Sequence, residues 1–498
     1  MRELLNAFSL MSIRQVVSVL YGLVRSKLLA ALLGPFGMGI VSQGTVLMRM
    51  LQQFTALGIG SGFVKLATEY RIKGRSERLN RTISMVLGAF GLLGLLMVWL
   101  AHLVAEQAAE LVFGDSQYRW FVVIIALASL LYVEYNFILR IFQSMLRWRD
   151  YVRVSVIGYT LSIFVTAALI VRGGIMGAVF SIMATQAISL AVAIWVLHRH
   201  VVEVEDLHYW RFLPDRQAAL DVGRFIGPLT LVAAFSMSAL VIVRTMIVGS
   251  LGIEANGLYQ VVWGISVTYM GLLLVSLNSF GVPKVSSHLG DREEITKIQN
   301  HELRLGLFVV IPIVITLSSL RDWWIPILYS SSFLGAGSIM VWHFGGDVFR
   351  VMRQSFNINL VPYERFGFIV VDALVYWGGW AGGVWVLLPR LGLAAVPLAY
   401  FAAGALATTV SYGYQHSRLS FRLTPRNRIL VLKMALVGAV GLVSTHLIGN
   451  TWLRLGAGAV VLGAMAIWVP TKQEYTDLIA LAKEHLSNIK PSGNGSSE

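Results

Sequence analysis

Along this chain, apolar runs of about 20 residues alternate with short polar stretches rich in arginine and lysine. A helix needs about 20 apolar residues to cross a bilayer. That rule predicts about fourteen membrane-spanning helices, near 8–33, 38–62, 82–104, 120–142, 154–171, 174–197, 225–248, 255–282, 305–321, 336–358, 367–388, 391–414, 430–448 and 453–470. Gly34-Pro35 and the short links Arg172-Gly173-Gly174 and Pro389-Arg390 read as tight hairpins between successive spans.

The polar stretches orient these spans. If the N-terminus is cytoplasmic, the inner stretches hold Lys65, Arg71, Lys73, Arg75, Arg78 and Arg81, then Arg147, Arg149 and Arg153, then Arg199, Arg211, Arg216 and Arg224, and later Arg418, Arg422, Arg426 and Arg428. The outer stretches are short and poor in base; the one near 105–119 carries Glu106, Glu110 and Asp115 against Arg119. This alternation is the positive-inside pattern, and it predicts an even number of spans with both termini cytoplasmic. Met1–Asn6 is short and polar, and the apolar run after it is long and lacks an A-x-A site, so it is expected to act as the first span rather than a cleaved signal. After the last span, Tyr475, Leu478, Ile479, Ala482, Leu486 and Ile489 recur at helical spacing beside Lys472, Lys483 and Lys490. They suit either an interfacial amphipathic segment or an ordinary solvated end, followed by a disordered PSGNGSSE tail.

Composition agrees with the pattern. Apolar residues make up 56% of the 498 residues, charged residues 13%, and the mean hydropathy is +0.70. Soluble domains hold about 25% charged residues, so the expected class is an all-α polytopic membrane protein. The net charge of +14 sits in short loops between apolar runs, which argues against a nucleic-acid partner. The absence of cysteine excludes disulfides, thiol catalysis and cysteine-ligated metals. His198, His200 and His208 surround Glu203, Glu205 and Asp206, but their spacing fits no zinc motif such as H-E-x-x-H. There is no Walker A sequence or nucleophile elbow, and no outer loop long enough to hold a catalytic domain. The expectation is a transporter, not an enzyme, with no cofactor and no metal.

The chain also carries an internal repeat. LVRSKLLAALLGPFGMG (23–39) aligns with IVRTMIVGSLGIEANG (242–257) with one gap. Val24-Arg25-Ser26 meets Val243-Arg244-Thr245, Leu33-Gly34 meets Leu251-Gly252, and Gly39 meets Gly257. Leu111–Asp115 resembles Ile327–Ser331, each opening the fourth span of its half. The offset is about 218 residues, an even six spans, so both copies insert the same way up. Such parallel repeats hold substrate at their interface. The expected organisation is an N-terminal six-helix bundle (1–222), a second six-helix bundle (223–425), an additional helix pair (426–470) and a cytoplasmic amphipathic segment with its tail (471–498).

Ionisable residues inside these spans are the candidate site. Arg14 and Arg25 are eleven residues apart, about three helical turns, and share a face. Lys27 points elsewhere and is expected to snorkel outward. Arg49 lies near the middle of span 2, and Arg244 in span 7. Span 10 places His343, Asp347, Arg350 and Gln354 on one face. Asp347 and Arg350 read either as a buried local pair or as part of a cavity; Glu134 in span 4 reads as a partner for a neighbouring arginine. Arginine exceeds acid around Arg25, Arg49 and Arg244, and guanidinium groups bind phosphate oxygens in a bidentate way, so an anionic substrate is expected. Arg14, Arg25, Arg49, Arg244 and Arg350 are therefore the candidate substrate-binding residues. Glu134, Asp347 and Asp372 are the candidate coupling acids.

Fourteen spans in two six-span halves plus a pair, a basic first span ending in LLGPFGMG, and QSMLRWRDY at 143–151 together resemble the multidrug/oligosaccharidyl-lipid/polysaccharide exporter superfamily. Within it the chain is similar to the polysaccharide repeat-unit flippases. The resemblance implies two bundles in a V around a cationic cavity. It implies an undecaprenyl-diphosphate-linked oligosaccharide as substrate, flipped across the bacterial inner membrane by alternating access for O-antigen or exopolysaccharide synthesis. Membrane lipid, a polysaccharide polymerase and chain-length proteins are the implied partners. Two other readings stand beside it: a cation-coupled multidrug exporter, which would carry an acid in span 1, and a membrane-embedded polymerase or ligase, which would need large outer loops.

Overall fold

The structure, a computed structural model, describes residues 2–56, 59–202 and 227–468. Every regular element among them is a helix. The first half holds α1 (Arg2–Ala56), α2 (Ile59–Ile72), α3 (Ser76–Leu103), α4 (Ala105–Phe113), α5 (Arg119–Ser144) and α6 (Trp148–Leu197). The second holds α7 (Pro228–Leu251), α8 (Ile253–Ser287), α9 (Arg292–Ser319), α10 (Arg321–Leu328), α11 (Met340–Asn357), α12 (Phe366–Ala373), α13 (Gly379–Leu391) and α14 (Ala395–Leu419). The pair α15 (Pro425–Leu447) and α16 (Thr451–Trp468) follows. The expected boundary at 222/223, the stretch containing Glu203, Glu205, Asp206 and His208, residues Arg211, Arg216 and Arg224, and the amphipathic segment after residue 470 lie outside the described residues.

Ten helical stretches among the described residues are long and apolar enough to cross a membrane. Three of them, Ile13–Ala56, Trp148–Val201 and Phe366–Leu419, are interrupted at Gly34, Gly174 and Gly392, so each contains two crossings. The short helix α11 supplies the fourteenth; its polar face of His343, Asp347 and Arg350 lowers its hydropathy. The chain is thus an all-α membrane protein of about fourteen spans, as its pattern predicts.

Backbone geometry marks the repeat. Positive φ occurs at Gly34 (61°) and Gly252 (85°), at Gly174 (52°) and Gly392 (55°), and at Leu146 (57°) and Glu364 (53°). The members of each pair are 218 residues apart, the spacing at which the two sequence halves align. Glycine has no Cβ to clash there, so one residue suffices to break one helix and start the next. Pro35 then opens the second crossing with its φ already helical. One expectation shifts: Pro389 and Arg390 remain inside α13, and the break falls at Gly392. Likewise the ninth span starts well before residue 305. The Asp291 carboxylate accepts from the Glu293 and Glu294 amides (3.1 and 3.0 Å), which caps α9 and makes its charged first turns helical.

In the first half α1 packs along α5 and α6; in the second α11 packs against α9 and α14. The additional pair lies against α9, held at one end by the fully buried Arg454, which donates to Asp322 of α10. The two halves touch through α1, α7 and α8, near the Gly34 and Gly252 breaks.

Candidate functional site

Between the halves lies a cavity of about 420 Å³, lined mainly by α1, α6 and α8, with Tyr132 and Tyr135 of α5. Among the described residues two charged ones line it, Arg25 and Arg49, and no carboxylate does. Arg25 is half-buried, and its Nε and Nη2 are shielded from water with no hydrogen-bond partner. Arg49 is exposed into the same space. The remaining polar lining is neutral and includes Gln15, Ser18, Thr185, Gln186, Ser189 and Gln260. An unpartnered guanidinium nitrogen out of water is costly, and an oxyanion would offset that cost.

The other expected arginines are placed elsewhere. Arg244 is fully buried behind the cavity wall, donating to Ser42 Oγ (3.1 Å), Asn256 Oδ1 (3.3 Å) and Gln260 Oε1 (2.5 Å), with its guanidinium 5.8 Å from the Tyr259 ring. Its bonds tie α7 of the second half to α1 of the first. The reason for the difference from Arg25 is one residue of register. Arg25 stands nine residues before its glycine break and Arg244 eight before its own, a rotation of about 100° around a helix. Arg14 donates to Ser155 Oγ (3.1 Å) and lies 4.7 Å over the Tyr151 ring, bracing α1 against α6. Arg350 is half-buried on α11 and does not line the cavity.

The acids are likewise set apart from the cavity. Asp347 is fully buried and accepts from Ser266 Oγ (2.6 Å), Tyr400 Oη (3.0 Å) and Tyr269 Oη. These three hydroxyls, rather than an ion pair to Arg350, hold its carboxylate. Asp372 is bonded by Arg353 Nη1 (2.6 Å) and Ser411 Oγ (2.7 Å). Glu134 makes no ion pair among the described residues; its Oε1 faces Gly91 of α3. Glu302 of α9 is fully buried against Gly281 of α8 with neither carboxylate oxygen bonded.

The cavity is shut at the Gly34/Gly252 end. Lys27 does not snorkel: its Nζ donates to the carbonyls of Pro326 and Tyr329 (both 2.8 Å) at the end of α10. Asn256 Nδ2 donates to Gly39 O (3.1 Å), and Gln43 Nε2 to Thr245 Oγ1 (3.4 Å). Sequence reasoning reached Arg25 and Arg49 through their charge. It did not reach Tyr21, Tyr159, Thr185, Gln186 or Trp263, because aromatic and neutral polar residues are common in spans and at interfaces.

The chain is similar to proteins of known class and fold. The lipid III flippase of Escherichia coli (strain K12) is 23% identical over 361 residues, 72% of this chain and 84% of that protein. The lipid III flippase of Shigella flexneri matches to the same extent. Among solved structures, an inward-facing multidrug resistance MATE family transporter of the MOP superfamily superposes with a TM-score of 0.72 at 14% identity, covering 83% of this chain and 98% of that one. The lipid II flippase MurJ in its inward closed conformation gives 0.70 at 15% identity, covering 95% and 100%. The fold is that of the MOP superfamily. Residues 4–288 match the family described as polysaccharide biosynthesis protein, and the chain belongs to that family.

Proposed function

We propose that this protein is a flippase for a prenyl-diphosphate-linked oligosaccharide, moving it from the inner to the outer leaflet of a bacterial cytoplasmic membrane. One observation carries the reading: a cavity between two halves with two arginines and no carboxylate among the described residues, where Arg25 keeps two buried nitrogens without a partner. A diphosphate supplies oxygens for a bidentate guanidinium contact. The similarity to lipid III flippases supports the same class of cargo.

In this reading the headgroup enters from the basic-loop side, and Arg25 and Arg49 hold the diphosphate. Lys27 and Arg244 keep the opposite end closed. Rocking of the halves about their shared contact then opens that end. The prenyl tail stays in lipid, with both chain termini cytoplasmic. Flipped units would feed the polymerase and chain-length proteins of O-antigen or exopolysaccharide synthesis. A multidrug resistance transporter shares the fold, but the cation-coupled exporter reading calls for an acid in the first span, and the charged groups lining this cavity among the described residues are arginines.

Mass spectrometry of lipid co-purifying with the full chain tests the proposal. A prenyl-diphosphate oligosaccharide bound at stoichiometric level is the expected result. Phospholipid alone, with no prenyl diphosphate after purification from a membrane that contains it, would overturn the reading.

A further inference from the structure

The cavity is divided along α1. Arg25 marks one level, and Tyr21 lies four residues earlier, one turn down the same face and about 6 Å along the axis. Tyr21 stacks on Tyr159 of α6, with ring centroids 5.0 Å apart and planes 16° from parallel. The Tyr21 hydroxyl is also fixed. It lies 3.2 Å from Thr185 Oγ1, and Thr185 gives its only proton to the Ser181 carbonyl (2.7 Å). Tyr21 therefore donates to Thr185, and its oxygen lone pairs remain free to accept. Gln186 and Ser189 line the same wall. This is a rigid aromatic surface edged by neutral hydrogen-bonding groups and free of carboxylates, one turn from an unpartnered guanidinium.

We infer that the Tyr21–Tyr159 pair, with Thr185 and Gln186 at its edge, is the subsite for the sugar joined directly to the diphosphate. This rests on the flippase reading and adds to it the position and chemistry of the first sugar. A pyranose presents an apolar C–H face and a rim of hydroxyls. The tyrosine rings match the first, and the Tyr21 oxygen and the Gln186 amide match the second. The spacing of one helical turn sets which sugar it is: with the diphosphate on Arg25, the ring at the level of Tyr21 is the first one. The paired rings stack on each other before any ligand arrives, so little side-chain freedom remains to be lost on binding. The subsite thereby becomes a filter on the first sugar of the carried unit.

The test uses the full chain in detergent and two soluble probes, a short-chain prenyl diphosphate and the same molecule carrying one N-acetylhexosamine. Quenching of tryptophan fluorescence follows binding, since Trp263 lines the cavity. The wild type should bind the glycosylated probe about tenfold more tightly than the bare one. Tyr159→Ala should abolish that difference while leaving affinity for the bare probe within about twofold. Tyr21→Phe, which keeps the stack and loses the hydroxyl, should remove part of it. An unchanged sugar increment in both variants would overturn the subsite and leave the flippase reading standing, as would equal wild-type affinity for both probes. Failure of the wild type to bind either probe would overturn both.

Discussion

Gly39 and Gly257 cross backbone to backbone at the seam between the halves. A Cβ on Gly39 would sit 2.1 Å from the Ile253 carbonyl oxygen, and one on Gly257 would sit 2.0 Å from that of Pro35. Pro35 and Ile253 are themselves 218 residues apart, as are the two glycines. The contact is therefore reciprocal about the axis that relates the repeats. It lets α1 and α8 approach as closely as helices do when small residues face each other.

Either alanine substitution should disfavour this closed seam by about 1–3 kcal/mol, the usual cost of overpacking. The chain has no cysteine, so introduced thiols are uniquely labelled. Spin labels at Gln107→Cys and Ser332→Cys, exposed positions in the two halves, should show one distance in the parent and an added longer one with Gly257→Ala. An unchanged distribution would mean that the seam does not control opening.

Arg25 and Arg244 should separate by phenotype. Arg244→Ala removes a donor from two buried acceptors, Ser42 and Asn256, and from the half-buried Gln260, at about 1–3 kcal/mol for each buried group left unsatisfied. Its melting temperature in detergent should fall clearly. Arg25→Ala removes a guanidinium with two unbonded nitrogens, and its melting temperature should match or exceed that of the parent while ligand binding is lost. Equal destabilisation by the two substitutions would contradict this division of roles.

Lys27 latches α1 to α10 through two carbonyls. Hydrogen bonds from a charged donor contribute about 1.5–3 kcal/mol each. Lys27→Met keeps the apolar stem and loses both, so the same spin-label pair should report a larger open fraction. Hydrogen exchange at the end of α10 should rise with it. If exchange there stays at the parental rate, Lys27 is not a latch.

The Arg353–Asp372 pair, 2.6 Å apart with 15% and 10% of the side chains exposed, should behave as a structural bridge. Removing one partner of a buried pair costs about 3–5 kcal/mol. Asp372→Ala should therefore lower thermal stability, and Arg353→Met with Asp372→Leu should restore much of it. A stable single variant that has lost transport would instead point to a coupling role for Asp372.

Much of the fold is legible because bilayer crossing imposes strong rules. Apolar length reveals the spans, and loop charge predicts their direction. The shared V-R-[ST] and L-G segments expose the repeat, whose offset reappears in the backbone at Gly34 and Gly252. The site is legible only in part. Charge draws attention to every arginine equally, yet one residue of register sends Arg25 into the cavity and Arg244 into the seam. Asp347 looks like a partner for Arg350 at helical spacing, but three hydroxyls from α8 and α14 reach it first. Those donors lie 53 to 81 residues away in sequence, beyond what local periodicity can show. Tyr21 and Tyr159 become a pair only when α1 and α6 are packed.

In the proposed mechanism Arg25 holds a diphosphate in a cavity that opens alternately to the two sides. Its most direct measurement is translocation of a fluorescent prenyl-diphosphate saccharide across the bilayer of proteoliposomes, comparing the parent chain with Arg25→Ala and Arg25→Lys at equal reconstituted amounts. Rapid translocation by the parent, loss of at least about tenfold with alanine, and partial recovery with lysine, which keeps the charge and loses the bidentate fork, are the expected results. Parental rates in Arg25→Ala would contradict this mechanism.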